Sequence, residues 1–196
     1  MRIIGGIKQG RKLVSWEQTG IRPMRDFVRT ALFNIIGDLL PDASFLDLFC
    51  GTGSVGLEAL SRGAKTCVLV DSAAEACCIA RRNLDALGLL DRGKVIRADF
   101  AEGIDYLTRR GRTFDLVFAG PPYGKGLAEA ALQLLGERRL STADALVVTE
   151  VYKKETVASS YGKLIRTDTR IYGDNKLVFY RAADDGPTAN SLTHTG

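Results

Sequence analysis

Apolar residues along this chain fall into two rhythms. From Asp26 onward Phe27, Val28, Ala31, Leu32, Ile35, Ile36 and Leu39 recur at helical spacing up to Pro41, which predicts an amphipathic helix leaning on a larger body. After it, short apolar runs alternate with longer helical patterns. Strands are predicted at 44–49, 66–70, 94–97, 114–119 and 144–149, and helices at about 54–62, 73–87, 102–110 and 126–137. A short run without polar alternation is what a strand shows when both its faces are covered, so the repeat predicts a mostly parallel sheet between helices. Ser72, followed by Glu75, is the expected cap of the 73–87 helix, and Gly88 its stop.

The alternation then ends. Residues 163–171 and 176–181 are β-rich and separated by Tyr172-Gly173-Asp174-Asn175, the signal of an antiparallel hairpin. At the other end, Ile3-Ile4, the turn residues Gly5-Gly6 and then Leu13-Val14 predict a small β-hairpin, followed by a loop over 15–23. The fold class is therefore α/β and doubly wound. A mostly parallel seven-stranded sheet is closed by an antiparallel C-terminal hairpin, with a small N-terminal β-hairpin extension. The expected division is a basic arm over 1–24, the α/β domain over 25–182 and a disordered polar tail over 183–196.

With 196 residues and a 45% hydrophobic share, the chain can bury one core of ordinary size. It has no apolar run long enough to span a bilayer, and its first residues lack the pattern of a secretory signal. No membrane role and a cytoplasmic location are expected. Cys50, Cys67, Cys77 and Cys78 have neither zinc-site nor disulfide-framework spacing, and the single histidine, His194, lies in the polar tail, so no metal is expected. Charge is unevenly spread. Arg2, Lys8, Arg11, Lys12, Arg22, Arg25 and Arg29 stand against Glu17 and Asp26 in the first thirty residues, a local balance of +5 in a chain of net +4. Such a patch is a candidate polyanion surface, or simply a solvated basic face.

Two motifs carry candidate chemistry. Phe45-Leu46-Asp47-Leu48-Phe49-Cys50 runs into Gly51-Thr52-Gly53-x-x-Gly56, a strand feeding a glycine turn and a helix start, where backbone N–H groups meet a nucleotide. Asp71 lies where a ribose-binding acid stands, and by itself this pattern suits a nicotinamide enzyme equally well. Asp47, Asp71 and Asp99 all end strands, however, and an acidic surround suits a cationic, phosphate-free nucleotide such as S-adenosylmethionine better than a pyrophosphate. The candidate cofactor positions are Asp47, Phe49, Gly51, Thr52, Gly53, Asp71, Ser72, Asp99 and Phe100, with a helix N-terminal acid the alternative for Asp71 and Asp99. The second motif, Gly120-Pro121-Pro122-Tyr123, ends the 114–119 strand. Its prolines fix a backbone that offers carbonyls without N–H groups, and Tyr123 can stack on a base turned out of its helix.

These residues, with Arg2-Ile3-Ile4-Gly5-Gly6, Arg22-Pro23, Val28-Arg29, Leu32-Phe33-Asn34 and Gly56-Leu57-Glu58-Ala59-Leu60-Ser61-Arg62-Gly63-Ala64, resemble the bacterial small-subunit ribosomal RNA guanine-N2 methyltransferases of the D type over roughly residues 2 to 181. The resemblance implies a Rossmann-like class I methyltransferase fold. It also implies S-adenosylmethionine as cofactor and methyl transfer to a guanine amine of 16S rRNA, alone or in a small-subunit assembly intermediate. Gly120, Pro121, Pro122 and Tyr123 would form the catalytic turn. Arg2, Lys8, Arg11, Lys12, Arg22, Arg25 and Arg29 would meet RNA, and the enzyme is expected to be a monomer. The family carries an acid where this chain has Gly120. An RNA-binding protein of the same fold with weak or lost activity is therefore the alternative, and Glu150 is a candidate substitute acid or an ion-pairing residue. An aspartate restored at 120 is expected to speed transfer.

Overall fold

The computed structural model describes residues 1–15 and 24–183. Arg22, part of the expected 15–23 loop and the 184–196 portion of the expected tail lie outside the described residues. Five helices and eight strands follow in order: α1 (Asp26–Ile36), β1 (Ser44–Asp47), α2 (Ser54–Ser61), β2 (Thr66–Asp71), α3 (Ala74–Ala86), β3 (Gly93–Arg97), α4 (Phe100–Arg109), β4 (Phe114–Ala119), α5 (Leu127–Glu137), β5 (Ser141–Tyr152), β6 (Ser160–Tyr161), β7 (Leu164–Tyr172) and β8 (Asn175–Ala182). They build one sheet of order β3-β2-β1-β4-β5-β8-β7-β6. Strands β1 to β5 are parallel and β6 to β8 antiparallel.

The sheet has one strand more than the seven expected. The addition, β6, is two residues long and pairs with Leu164 and Ile165 at the edge, too short to leave a periodic signal. Strand β5 is longer than its apolar run because β8 pairs along it from Leu146↔Arg181 to Tyr152↔Asn175. Helix α1 ends at Ile36 and tightens into a 3-10 turn over Gly37–Leu39, a common way for a helix to finish.

Alternate residues of each strand feed two cores. Phe45, Leu69, Leu116, Phe118 and Val148 pack under Val28 and Leu32 of α1, Leu57 of α2 and Leu84 of α3. Leu46, Val68, Val117 and Val147 pack under Ile104 of α4 and Leu132 of α5. With both faces covered, the strand ends are where the sheet meets solvent.

The expected N-terminal hairpin is reduced to one antiparallel bridge, Arg2↔Lys12, closed by a 3-10 turn over Gly6–Lys8. Its fastening is polar. The fully buried Glu58 carboxylate accepts from the Ile4 and Gly5 N–H groups, each at 2.8 Å, and from Arg62 Nε at 2.7 Å. The Ser61 hydroxyl donates to the Gly5 carbonyl at 2.6 Å and accepts from the Lys8 N–H at 3.0 Å. At Gly6 the backbone has φ +77°, and a Cβ would stand 1.9 Å from the Ser61 carbonyl oxygen. Only glycine permits so close an approach. The two segments Ile4-Gly5-Gly6 and Glu58 to Arg62 are thus bonded to each other.

Removing the Glu58 carboxylate leaves buried N–H groups unpaired, so Glu58→Ala is expected to cost roughly 2–4 kcal/mol. It is also expected to release residues 1–15 to proteolysis before global unfolding. Urea unfolding with limited proteolysis checks this, and a protease-resistant arm in the variant would show that Ser61 and Gly6 suffice.

Candidate functional site

Strands β1 and β4 are neighbours in the sheet, and their carboxyl ends carry the glycine turn and the Pro-Pro-Tyr turn side by side. The order changes direction between these strands, which is where ligands of open α/β sheets bind. In the glycine turn Gly53 has φ +85° and stands at the start of α2, a conformation that L side chains rarely adopt. The Gly51 N–H donates to Asp71 Oδ2 at 2.8 Å, and Asp71 Oδ1 accepts from the Ala73 N–H at 2.9 Å. Asp71 therefore ties the turn to the start of α3 and keeps lone pairs on both oxygens for a ligand.

Asp47 is 1% exposed. Its Oδ2 accepts from the Gly56 N–H at 3.1 Å, whereas the buried Oδ1 has no hydrogen-bond partner among the described residues. Burial pushes this carboxyl up to about 7, the Asp71 charge adds to the shift and the Gly56 N–H opposes it. A buried carboxyl next to a second carboxylate, Asp71, with only the Gly56 and Phe49 N–H groups to offset it, fits a ligand that brings positive charge. The residues present thus suit S-adenosylmethionine.

The other candidates fall in different places. Phe49 and Phe100, both half-buried, bring their rings to 5.5 Å and form an apolar wall beside the turn. Thr52 is buried and its carbonyl accepts from Asn83 Nδ2 at 2.9 Å. Ser72 is exposed and does not cap α3, whose N-cap is Ala73, because the Asp71 side chain takes the Ala73 N–H. Asp99 is the N-cap of α4, accepting from Ala101 and Glu102 N–H groups through Oδ1 at 2.8 and 3.0 Å. Its Oδ2 takes no part in the cap.

Pro121 is buried, while Pro122 and Tyr123 are exposed. Gly120 differs from the expectation placed on it. A Cβ there would stand 2.8 Å from Phe118 Cε1 and 3.8 Å from Glu150 Oε2. An aspartate would have to move a buried ring and would bring a second carboxylate against Glu150, so it is no simple gain. Glu150 itself is 5% exposed and makes no ion pair among the described residues. Its Oε1 accepts from the Tyr123 hydroxyl at 2.9 Å and from Asn175 Nδ2.

On the basic arm Arg2, Arg11, Lys12 and Arg25 are exposed and Lys8 is half-buried. Arg2 and Lys12 lie directly opposite each other, so their side chains leave the same face. Arg29 corrects the expectation of RNA contact. It is fully buried, and its Nη2 donates to the Arg2 carbonyl at 2.6 Å and to Asp26 at 3.1 Å. It holds the arm from beneath rather than facing a partner. Asn83 was unread in the sequence and links arm to turn. It accepts from the Val14 N–H at 2.8 Å and donates to the Val14 and Thr52 carbonyls.

Comparison with known proteins agrees with this fold. The family described as Conserved hypothetical protein 95 matches residues 1–181. "Putative rRNA methyltransferase YlbH" of Bacillus subtilis is 33% identical over 92% of this chain and 98% of its own. "Ribosomal RNA small subunit methyltransferase D" of Escherichia coli is 35% identical over 76% of this chain and 74% of its own. The solved Escherichia coli structure described as "Putative methyltransferase yhhF" superposes with a TM-score of 0.79 at 31% identity, covering 93% of this chain and 98% of that one.

The raised Asp47 carboxyl makes apo stability depend on pH. Between about pH 4 and 7 the folded state keeps a proton that an unfolded aspartate has released, so stability falls as pH rises through that window. Asp47→Asn is expected to stabilise the apo protein by about 1–3 kcal/mol at pH 8, below the ceiling of about 4 set by the shift. The gain should vanish toward pH 4. Urea unfolding of both proteins across pH checks this, and a pH-independent difference would assign the effect to packing.

Proposed function

The chain belongs to the Conserved hypothetical protein 95 family, and on that premise we propose that it transfers a methyl group from S-adenosylmethionine to the exocyclic N2 amine of a guanine in 16S rRNA. The observation that carries this reading is the glycine turn and the Pro-Pro-Tyr turn at the ends of two paired strands, β1 and β4. When bound, S-adenosylmethionine supplies an electrophilic methyl on a positively charged sulfur. Asp47, Phe49, Gly51, Thr52, Gly53, Asp71, Ser72, Asp99 and Phe100 surround it. Carboxylates serve the cationic and hydroxyl-bearing parts, and the two phenylalanines serve the flat ring.

Tyr123 stacks on the extruded base, a contact worth about 1–3 kcal/mol, and the Pro121 carbonyl and Pro122 define a slot without N–H donors. The guanine amine is a weak nucleophile because its lone pair is delocalised. The enzyme's contribution is then mostly positioning and acceptors for the amine protons. Residues 1–24 act as a basic arm on the catalytic unit of residues 25–182. Arg2, Lys8, Arg11, Lys12 and Arg25 meet phosphates, which position the RNA without reading its sequence. No helix of the described residues is long and apolar enough to cross a membrane. The protein acts as a monomer in the cytoplasm on assembling small subunits.

The absence of a side chain at Gly120 favours a second reading, an RNA-binding protein of this fold with little turnover. Transfer of tritium from labelled S-adenosylmethionine to N2 of small-subunit guanine separates the two, since the second reading predicts binding without label.

Two variants divide the site. Asp71→Ala is expected to weaken S-adenosylmethionine by roughly 1.5–3 kcal/mol, because it removes a charged acceptor and loosens the Gly51 turn. Calorimetry showing unchanged affinity would remove Asp71 from the cofactor site. Neutralising Arg2, Arg11 and Lys12 together is expected to weaken RNA binding and flatten its salt dependence by a slope of about 2–3, with cofactor affinity unchanged. An undiminished slope would move the RNA surface elsewhere.

A further inference from the structure

Behind the Pro-Pro-Tyr turn the hydroxyl of Tyr123 joins a polar cluster whose two buried members, Glu150 and Asn175, the proposed reaction leaves without a task. Glu150, 5% exposed, sits near the end of β5. Its Oε1 accepts from the Tyr123 hydroxyl at 2.9 Å and from Asn175 Nδ2, and Asn175 Nδ2 also donates to the Tyr123 oxygen at 2.7 Å. Both amide protons and the phenolic proton are thus spent on fixing one carboxylate oxygen and one ring. The other oxygen, Oε2, accepts no hydrogen bond among the described residues. It lies 3.8 Å from where a Cβ on residue 120 would stand. Glu150 therefore puts a free carboxylate oxygen beside residue 120, at the start of the Pro-Pro-Tyr turn.

The cluster is assembled by the sheet. Tyr152↔Asn175 and Glu150↔Leu177 are paired across β5 and β8, which brings Asn175 diagonally over Glu150. Gly120 directly follows the neighbouring strand β4, and its lack of a Cβ lets the Phe118 ring pack against the turn with Glu150 Oε2 nearby.

We propose that Glu150 Oε2 is the catalytic acceptor for the amine proton in the methyl transfer, taking the role that Gly120 cannot fill. The assignment rests on the reading given under Proposed function. The bond from the amine nitrogen to the methyl carbon forms as the methyl's bond to sulfur breaks, with the electron pair remaining on sulfur. The nitrogen, briefly cationic, returns to neutrality as one of its protons passes to Glu150 Oε2 and from there to solvent. A primary exocyclic amine suits the site, since one of its protons is lost and the other can be held by the Pro121 carbonyl.

The electrostatics agree with this role. Burial pushes the Glu150 carboxyl up, while the Asn175 and Tyr123 hydrogen bonds pull it down, which moves it toward the range useful to a base near neutral pH. Tyr123 is pushed up by burial and by Glu150, so it stays a proton donor to the carboxylate. The remaining charge felt at Tyr123 is that of Glu155, whose carbonyl is held by Lys176 Nζ. Phe118 and Tyr152 complete the surround with aromatic rings.

The test measures single-turnover methyl transfer to small-subunit RNA across pH, together with cofactor and RNA affinity, in wild type, Glu150→Gln and Tyr123→Phe. Glu150→Gln is expected to bind cofactor and RNA within about two-fold of wild type but to transfer at least about 100-fold more slowly, losing the acid limb of the pH–rate profile. Tyr123→Phe keeps the stacking ring but removes one donor from the carboxylate, so its acid limb should move to higher pH. A Glu150→Gln variant as fast as wild type, with the same limb, overturns the assignment and leaves the reading intact. If that variant fails to fold, an unmoved limb in Tyr123→Phe overturns the assignment and a limb moved upward supports it. Wild type that binds cofactor and RNA yet labels no guanine overturns the reading, and the assignment with it.

Discussion

Both faces of the parallel sheet are sealed by helices, and that single constraint decides where chemistry can happen. A strand buried on both sides can offer a ligand only its end, and the parallel direction collects the ends of β1 to β5 on one edge. Asp47, Asp71, Asp99, Gly120 and Glu150 come from segments far apart in sequence, yet each is at or just beyond the carboxyl end of its strand, or near it. The same constraint makes carboxylates costly there. Asp47 is held in a protonation equilibrium close to neutrality by the burial that protects the sheet, and Asp71 and Asp99 are satisfied by backbone N–H groups at helix starts.

A second fastening, unrelated to the ligand edge, joins the basic arm to this frame. Glu58 replaces water for the Ile4 and Gly5 N–H groups, and Arg29 holds the Arg2 carbonyl from below. The charges that remain on the surface, Arg2 and Lys12 among them, are therefore presented from a fixed backbone. Asn83 extends the fastening to the glycine turn through Val14 and Thr52, so the polyanion surface and the nucleotide turn share one support.

Much of this was legible in the sequence because period and punctuation carry the elements. Helices and strands fall close to their expected ranges, and the two-residue turn at Gly173-Asp174 closes the β7–β8 pair as its composition implies. What could not be read depends on side-chain direction. Counting charges over residues 1–30 treats Arg29 like Arg25, although one turns inward and the other outward. Asp99 with Glu102 has the spacing of a helix cap, a reading that stands beside the ligand role, and the structure shows that cap formed. The meeting of Tyr123, Glu150 and Asn175 had no local signal. It arises from antiparallel register between β5 and β8, which pattern alone does not fix.

The clamp on Glu58 also bears on how the chain reaches its native state. Ile4 and Gly5 bond to a residue more than fifty positions later, and Val14 to one almost seventy later. During synthesis the arm therefore leaves the ribosome long before its anchors exist, and nothing in its own few apolar residues can hold it. Because loop closure must precede the reward of such distant contacts, docking of the arm waits on the synthesis and folding of α2 and α3, which carry Glu58 and Asn83. The basic surface then takes shape only on a chain whose two anchoring helices are already in place.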